Sequence, residues 1–182
     1  MPEPTPVTIE CTVNGRLHRW QSPPGATLLE ALREAHVRGP KLVCGTGDCC
    51  ACGVMLNGRS VNSCCTLAAQ AAGATVLTVE GLAEDGQLHP LQAAFLETGA
   101  AQCGFCTPGL LIRAYALLQA QPDPDEAAVR VALGGNICRC TGYVKPVEAV
   151  LEAARRMRAA AADATRQGSV EPGLPASDSA LR

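Results

Sequence analysis

The cysteines constrain this chain more than any other feature of its sequence. Eleven occur in 182 residues, and the segment CGTGDCCAC at residues 44–52 alone holds four of them. The N-terminus, MPEPTPVTIE, has neither a basic region nor an apolar run of the kind that directs secretion, so we expect a cytoplasmic protein. An odd number of cysteines in a reducing compartment predicts metal binding rather than a disulfide framework.

The first group of cysteines has the spacing of an iron–sulfur site. Cys44, Cys49 and Cys52 form C-x4-C-x2-C, the opening of the plant-type 2Fe–2S pattern. A fourth ligand must come from elsewhere, and Cys64 and Cys65 both lie in the nearby segment SVNSCC. Glycines in and after the loop allow backbone N–H groups to approach the sulfur atoms. Zinc is the alternative, although zinc sites more often use paired C-x2-C motifs.

A second group of cysteines has a different spacing. Cys103 and Cys106 form C-x2-C directly before Thr107, which with the following proline is a helix start signal, and a helix N-terminus favours thiolates. Cys138 and Cys140 form C-x-C, and residues two apart in an extended segment point to the same side. Both pairs can therefore face one site. Taken alone, this set fits zinc as well as iron–sulfur.

Turn and capping signals divide the chain into two domains and a tail. Residues 1–82 are predicted to form an α+β domain, and residues 83–158 a bundle of four short helices. Residues 159–182 are rich in Ala, Gly, Ser and Pro and are predicted to be a flexible tail. The predicted segments are strands at 6–13, 16–21, 52–56, 60–63 and 74–79, a capped helix from Thr27 to Gly39, a linker at 80–87, and helices starting near Leu88, at Thr107, near Asp123 and at Pro146.

Composition excludes two classes of protein. The net charge is −2 and the chain has one Trp, two Tyr and two Phe, so it lacks the basic, aromatic surface of a nucleic-acid-binding protein. No apolar run is long enough to span a membrane. The three histidines, His18, His36 and His89, have neither ligand nor triad spacing. We therefore expect no bond chemistry, and no catalytic residue, in this chain alone.

Four sequence blocks together resemble a known family. CGTGDCCAC, SVNSCC, AQCGFCTPG and GNICRCTGY occur in the order and separation found in the iron–sulfur subunit of the molybdenum hydroxylases. That family includes xanthine dehydrogenases, aldehyde oxidoreductases and aerobic carbon monoxide dehydrogenases. The likeness extends from residue 6 to about residue 158, and QCGFCTPG and CRCTGY are close to diagnostic.

The resemblance implies a fold and two cofactors. The N-terminal domain would be a plant-ferredoxin-like β-grasp, and the C-terminal domain a four-helix bundle that is found in this family. Each domain would bind one 2Fe–2S cluster. The implied ligands are Cys44, Cys49, Cys52 and Cys64 for the plant-type cluster, and Cys103, Cys106, Cys138 and Cys140 for the other.

The resemblance also implies partners and an electron path. A large subunit would carry molybdopterin, expected as the cytosine dinucleotide, and a medium subunit would carry FAD, in a dimer of heterotrimers. Electrons from the molybdopterin centre would reach the Cys103 cluster, then the Cys44 cluster, then FAD. Gln102 and Cys140 would contact the pterin. The alternative function is that of a free two-cluster ferredoxin, but we would expect such a protein to be more acidic. A third possible function is that of an assembly module held together by zinc, with no redox role. The substrate is set by the large subunit.

Two cysteines depart from the family pattern. The family has glycine where Cys50 stands, and an apolar residue where Cys65 stands. If the first position requires a positive φ, cysteine there is strained by about 1 kcal/mol or more. We expect Cys50 to be a free thiol that points away from the metal, and Cys65 and Cys11 to be small buried hydrophobes. Both Cys50 and Cys65 lie near enough to the predicted ligands to compete with them.

Overall fold

The computed structural model describes residues 5–168 and has a mixed sheet followed by a group of helices. Five strands form the sheet, in the order β2-β1-β5-β3-β4. The elements are β1 (Val7–Val13), β2 (Arg16–Ser22), α1 (Leu28–Glu34), β3 (Gly53–Leu56), β4 (Arg59–Asn62), β5 (Thr75–Leu77), α2 (Pro90–Glu97), α3 (Thr107–Ala120), α4 (Glu126–Leu133) and α5 (Val144–Gly168).

The N-terminal half is the predicted β-grasp domain. Two antiparallel hairpins, β1–β2 and β3–β4, are joined by β5, which pairs parallel to β1 and antiparallel to β3. Both hairpins turn at an Asn-Gly pair with positive φ at both residues, because that turn matches the twist of the strands. Helix α1 begins directly after its N-cap Thr27, which forms the predicted capping box with Glu30, and it buries Leu28 and Leu32 against the sheet.

The C-terminal half is the predicted group of four helices, and it shares its core with the sheet. Phe95 of α2, Ile112 of α3, Val129 of α4 and Val150 of α5 belong to one buried cluster, which also contains Met55 of β3. The helices therefore pack on the strand that directly follows the first cysteine loop. This shared core fixes the position of one cysteine group relative to the other. The α+β fold class is confirmed.

Helix α5 is longer than predicted. The flexible tail was expected from residue 159, but α5 continues to Gly168. The sequence RMRAAAADATR consists largely of Ala and Arg, which favour helix even without a buried face. An ion pair between Arg158 and Asp123 also ties this part of the helix to the segment before α4. The rest of the predicted tail, 169–182, lies outside the described residues. Within residues 5–168, none of the helices has the length and apolar character needed to cross a membrane.

A histidine caps the first helix of the C-terminal half. Nδ1 of His89 accepts the N–H of Leu91 at 3.2 Å, while the side chain of Gln92 accepts the N–H of His89 at 3.0 Å. The imidazole also packs edge-on against the Tyr115 ring. Burial lowers the pKa of His89, although nearby Glu84 opposes this shift. The neutral ring is the form that the cap requires, because a protonated imidazole has no acceptor.

We expect the stability of the chain to fall as the pH drops below the ordinary histidine pKa of about 6.5. Because the folded-state pKa of His89 is depressed, its neutral ring contributes stability above the unfolded-state pKa, and that contribution is lost as the pH falls through the folded-state pKa. His89→Asn keeps an acceptor that does not titrate, so the melting temperature should vary less between about pH 7 and about pH 5. The matched control, His18→Asn, should keep the wild-type slope. Equal slopes in His89→Asn and the wild type would contradict the role of the cap.

Candidate metal centres

The first cysteine group comes together between α1 and β3. Cys49, Cys52 and Cys64 are buried and Cys44 is partly exposed. Cys64 lies in a short 3₁₀ turn, Ser63–Cys65, directly after β4, and packs with Cys52 against Leu29. The N–H and hydroxyl of Ser63 both donate to the Cys52 carbonyl, at 3.4 and 2.7 Å. The hairpin β3–β4 thus brings Cys64 to the loop, as the resemblance implied.

The electrostatics of this first site suit metal-bound thiolates. The N–H of Thr46 donates to Cys44 Sγ at 3.4 Å, and hydrogen bonds from Thr46 and then Cys49 lower the pKa of Cys44 to about 5. Burial, by contrast, raises the pKa of Cys52 to about 12. A buried thiol of this kind ionises when a cation compensates the charge. The donor set and the N–H groups therefore fit an iron–sulfur cluster.

The second cysteine group surrounds the start of α3. Cys106 is the N-cap residue, one position earlier than the predicted Thr107, because its own backbone is already helical and its carbonyl accepts the N–H of Leu110. The Sγ atoms of Cys103 and Cys140 are 3.5 Å apart. All four predicted ligands line one cavity of about 230 Å³, together with Val43, Cys49, Ala51, Phe105, Ile137 and Arg139.

The spacing of one pair of these thiols fits two ligands of the same metal ion. A tetrahedral metal with metal–sulfur bonds of about 2.3 Å separates two thiolates by about 3.8 Å, close to the 3.5 Å between Cys103 and Cys140. Burial and then the Cys138 thiol raise the pKa of Cys106 to about 12. The pKa of Cys138 is lowered although burial opposes the shift, because Thr141 contacts its Sγ at 3.1 Å.

Sequence reasoning missed Tyr143 as a support for the second site. Its hydroxyl accepts the N–H of Cys138 at 2.8 Å and donates to the Asn136 carbonyl at 2.7 Å. The residue has a positive φ of 66°, which turns the chain back toward the C-x-C segment. The sequence signal that could have identified Tyr143 is its place in the CRCTGY block. Tyr143 therefore holds the backbone on which Cys138 and Cys140 stand.

A direct junction joins the two cysteine groups. The N–H of Ile137 donates to the Cys49 carbonyl at 3.1 Å, and Nδ2 of the buried Asn136 donates to the Cys50 carbonyl at 3.2 Å. Gly109 of α3 lies against the same Cys50 carbonyl, where a side chain would not fit. The backbone carbonyls of Cys49 and Cys50 are thus hydrogen-bonded to the two residues that precede Cys138.

The structure separates the roles of the remaining cysteines. Cys11 is in the core of the β-grasp domain, as predicted. Cys50 has a φ of 54° and is buried, with its Sγ 4.0 Å from Nη2 of Arg113 on α3. Cys65 was expected to be buried, but it is exposed, because the 3₁₀ turn points it to solvent, with its Sγ 3.6 Å from that of Cys64. Gln102 is exposed directly before Cys103, and its pterin contact stays a prediction.

Comparisons with known proteins agree with these two sites. Residues 11–83 match the family model described as “2Fe-2S iron-sulfur cluster binding domain”, and residues 78–151 match “[2Fe-2S] binding domain”. The chain is 46% identical over 151 residues to the nicotinate dehydrogenase small FeS subunit of Eubacterium barkeri, covering 82% of this chain and 96% of the relative. It is 44% identical over 149 residues to the xanthine dehydrogenase iron–sulfur-binding subunit of Escherichia coli O157:H7, covering 80% of this chain and 93% of the relative.

The chain belongs to the iron–sulfur subunits of the molybdenum hydroxylase family. A crystal structure of quinoline 2-oxidoreductase from Pseudomonas putida 86 superposes with a TM-score of 0.81 and 38% identity, over 91% of this chain and 99% of that one. The fold and the two 2Fe–2S clusters expected for such a subunit are thereby confirmed. The matches favour iron–sulfur over zinc at both sites.

Cys50→Gly should leave both clusters of this molybdenum hydroxylase subunit in place. Glycine relieves the strain of the left-handed backbone, about 1 kcal/mol, but also removes a buried thiol. We therefore expect the free energy of unfolding to change by less than about 1 kcal/mol. Iron content and the electron paramagnetic resonance spectrum of the reduced protein measure cluster retention. Loss of the plant-type signal would show that Cys50 is a ligand.

Proposed function

We propose that this chain is the electron-transfer subunit of a cytoplasmic molybdenum-containing hydroxylase or dehydrogenase. Its partners would be a large subunit with molybdopterin cytosine dinucleotide and a medium subunit with FAD, in a dimer of heterotrimers. The names of its relatives, dehydrogenase and oxidoreductase subunits, support this assignment. The proposed ligands are Cys44, Cys49, Cys52 and Cys64 for the plant-type cluster, and Cys103, Cys106, Cys138 and Cys140 for the cluster of the helical domain.

The junction between the two cysteine groups is the observation that carries this proposal. The 2Fe–2S clusters supply one-electron chemistry when they are bound. Between the Cys138 and Cys49 side chains the chain offers a path of covalent bonds and a single hydrogen bond, from the N–H of Ile137 to the Cys49 carbonyl. The buried Asn136 fixes the neighbouring carbonyl of Cys50, so this path has little freedom to open. The chain therefore joins its two redox sites rigidly.

An apolar surface around the second site supports a permanent partner. Leu42, Val43, Phe105 and Ile137 are each more than half exposed, and three of them line the cavity of the second cysteine group. Exposed apolar side chains concentrated at a redox site are typical of a covered interface rather than of a free carrier. This surface favours a subunit over a free ferredoxin. Gln102 is exposed beside it, where an amide suits the proposed pterin contact.

Co-purification tests the proposal. We expect the native chain to elute from size-exclusion chromatography with two larger subunits that bring molybdenum and flavin. Phe105→Asp should weaken that association, because it places a charge in the proposed interface. Leu17→Asp, on the exposed face of the edge strand β2, is the matched control and should leave the complex intact. A stable native species of 18.8 kDa would contradict the proposal.

A further inference from the structure

A fifth thiol lies at the plant-type centre and has no role in the proposed ligand set. Cys65 follows Cys64 in the 3₁₀ turn Ser63–Cys65, and its Sγ is 3.6 Å from the Cys64 Sγ. Cys65 is exposed, whereas Cys64 is 8% exposed. Side chains of adjacent residues in such a turn normally diverge. Here the two sulfur atoms are close together at the edge of the site.

The position of Cys65 is compatible with metal ligation. Its separation from Cys64 is close to the 3.5 Å between Cys103 and Cys140, which line the second site together. The thiol also lies directly over the ligand loop, because its Sγ is 3.0 Å from the place where a Gly47 side chain would begin. Gly47, with a φ of 86°, thus leaves room for this sulfur between Cys64 and the C-x4-C segment.

We propose that Cys65 is a reserve ligand of the plant-type centre, which takes the place of Cys64 when the bond from Cys64 to iron opens. This inference rests on the proposed ligand set. In the exchange, the Cys65 thiol releases its proton to solvent and its sulfur forms a bond to iron. The Cys64 sulfur loses its bond to iron and takes up a proton. The oxidation state of neither cysteine changes.

The geometry allows Cys65 this role and denies it to the other spare cysteines. Rotation of a cysteine side chain from one staggered rotamer to the next moves its sulfur by about 3 Å, which is most of the distance between the two Sγ atoms. Exposure gives the Cys65 proton direct access to water. Cys50 instead places its sulfur beside Arg113 on α3, and Cys11 is enclosed in the core between the sheet and α1.

Three variants of the full chain, isolated anaerobically with any subunits that accompany it, test the proposal. Cys64→Ala should keep close to the wild-type iron content, and its plant-type paramagnetic resonance signal should be shifted rather than lost. Cys64→Ala with Cys65→Ala should lose that signal and about half of the iron. The matched control, Cys64→Ala with Cys50→Gly, should behave like Cys64→Ala. The signal of the second cluster reports folding throughout.

The outcomes separate this inference from the proposed function. If the wild-type chain lacks the plant-type signal, the proposed function fails and the reserve ligand with it. If the wild type has the signal and Cys64→Ala loses it, only the reserve ligand is wrong. If the double alanine variant retains the signal, the reserve ligand and the place of Cys64 in the proposed ligand set are both wrong, while the proposed electron-transfer function stands. If Cys64→Ala does not fold, Cys65→Ala decides the question, because the proposed ligand set stays intact. Its plant-type centre should then release iron to a chelator several times faster than the wild type, and an unchanged rate would overturn the proposal.

Discussion

Gly109→Ala is expected to disrupt the contact between the two cysteine groups and to lower the free energy of unfolding by about 1–3 kcal/mol or more. A Cβ at this position would overlap the Cys50 carbonyl and would lie 2.8 Å from Nδ2 of Asn136 and 3.1 Å from Cα of Ala51. Two of these neighbours are backbone atoms next to the ligands Cys49 and Cys52. They cannot move without changing the ligand loop. The substitution should therefore also reduce the iron content.

Thermal unfolding of the oxidised protein and iron analysis measure these two effects. Gly25→Ala is the matched control, because no atom lies within 4 Å of a Cβ built there and its φ is not in the left-handed region. It should leave both the melting temperature and the iron content close to wild type. If Gly109→Ala unfolds at the same temperature as Gly25→Ala, the two halves of the chain do not depend on this contact.

Cys138→Ala and Cys44→Ala are each expected to remove one cluster and to leave the other. Each cluster has its own four proposed cysteine ligands, so iron should fall by about half in either variant. In the complex, flavin reduction by substrate should fail in both. With Cys44→Ala, substrate should still reduce the centre at Cys103, whereas Cys138→Ala should abolish this signal. The expected difference comes from the position of the two cysteine groups along the proposed path.

Stopped-flow absorbance of the flavin and paramagnetic resonance of the clusters distinguish the two variants. Cys11→Ala is the control, because that cysteine lies in the core of the β-grasp domain and away from either ligand set. It should keep both clusters and normal flavin reduction. If Cys138→Ala and Cys44→Ala both reduced flavin at the normal rate, the series arrangement of the clusters would be wrong.

Local signals explain why much of the fold was predictable. The two Asn-Gly turns, each with positive φ at both residues, identified the hairpins, and the capping box at Thr27 identified the start of α1. The eight proposed ligands followed from spacing and from four short motifs that retain their order. Both kinds of signal lie within a few residues of the feature they predict. These signals can be recognised without knowledge of any long-range contact.

The junction between the two cysteine groups was not predictable, because its contacts join residues that are far apart in the sequence. Asn136 and Gly109 contact the Cys50 carbonyl from far along the chain, and neither residue type indicates such a contact by itself. Cys65 was misplaced because an apolar residue in relatives suggests burial, while the 3₁₀ turn determines where the side chain points. Helix α5 extends beyond its predicted end. The end was misplaced because an alanine-rich composition fits both a flexible tail and a helix.

Electron paramagnetic resonance of the reduced wild-type protein, combined with iron and sulfide analysis, tests the central claim most directly. The account predicts about four irons and about four sulfides per chain, and two distinct 2Fe–2S signals of equal integrated intensity, one for each matched domain. One of these should disappear with Cys44→Ala and the other with Cys138→Ala. A single 2Fe–2S signal at full iron loading would contradict the account.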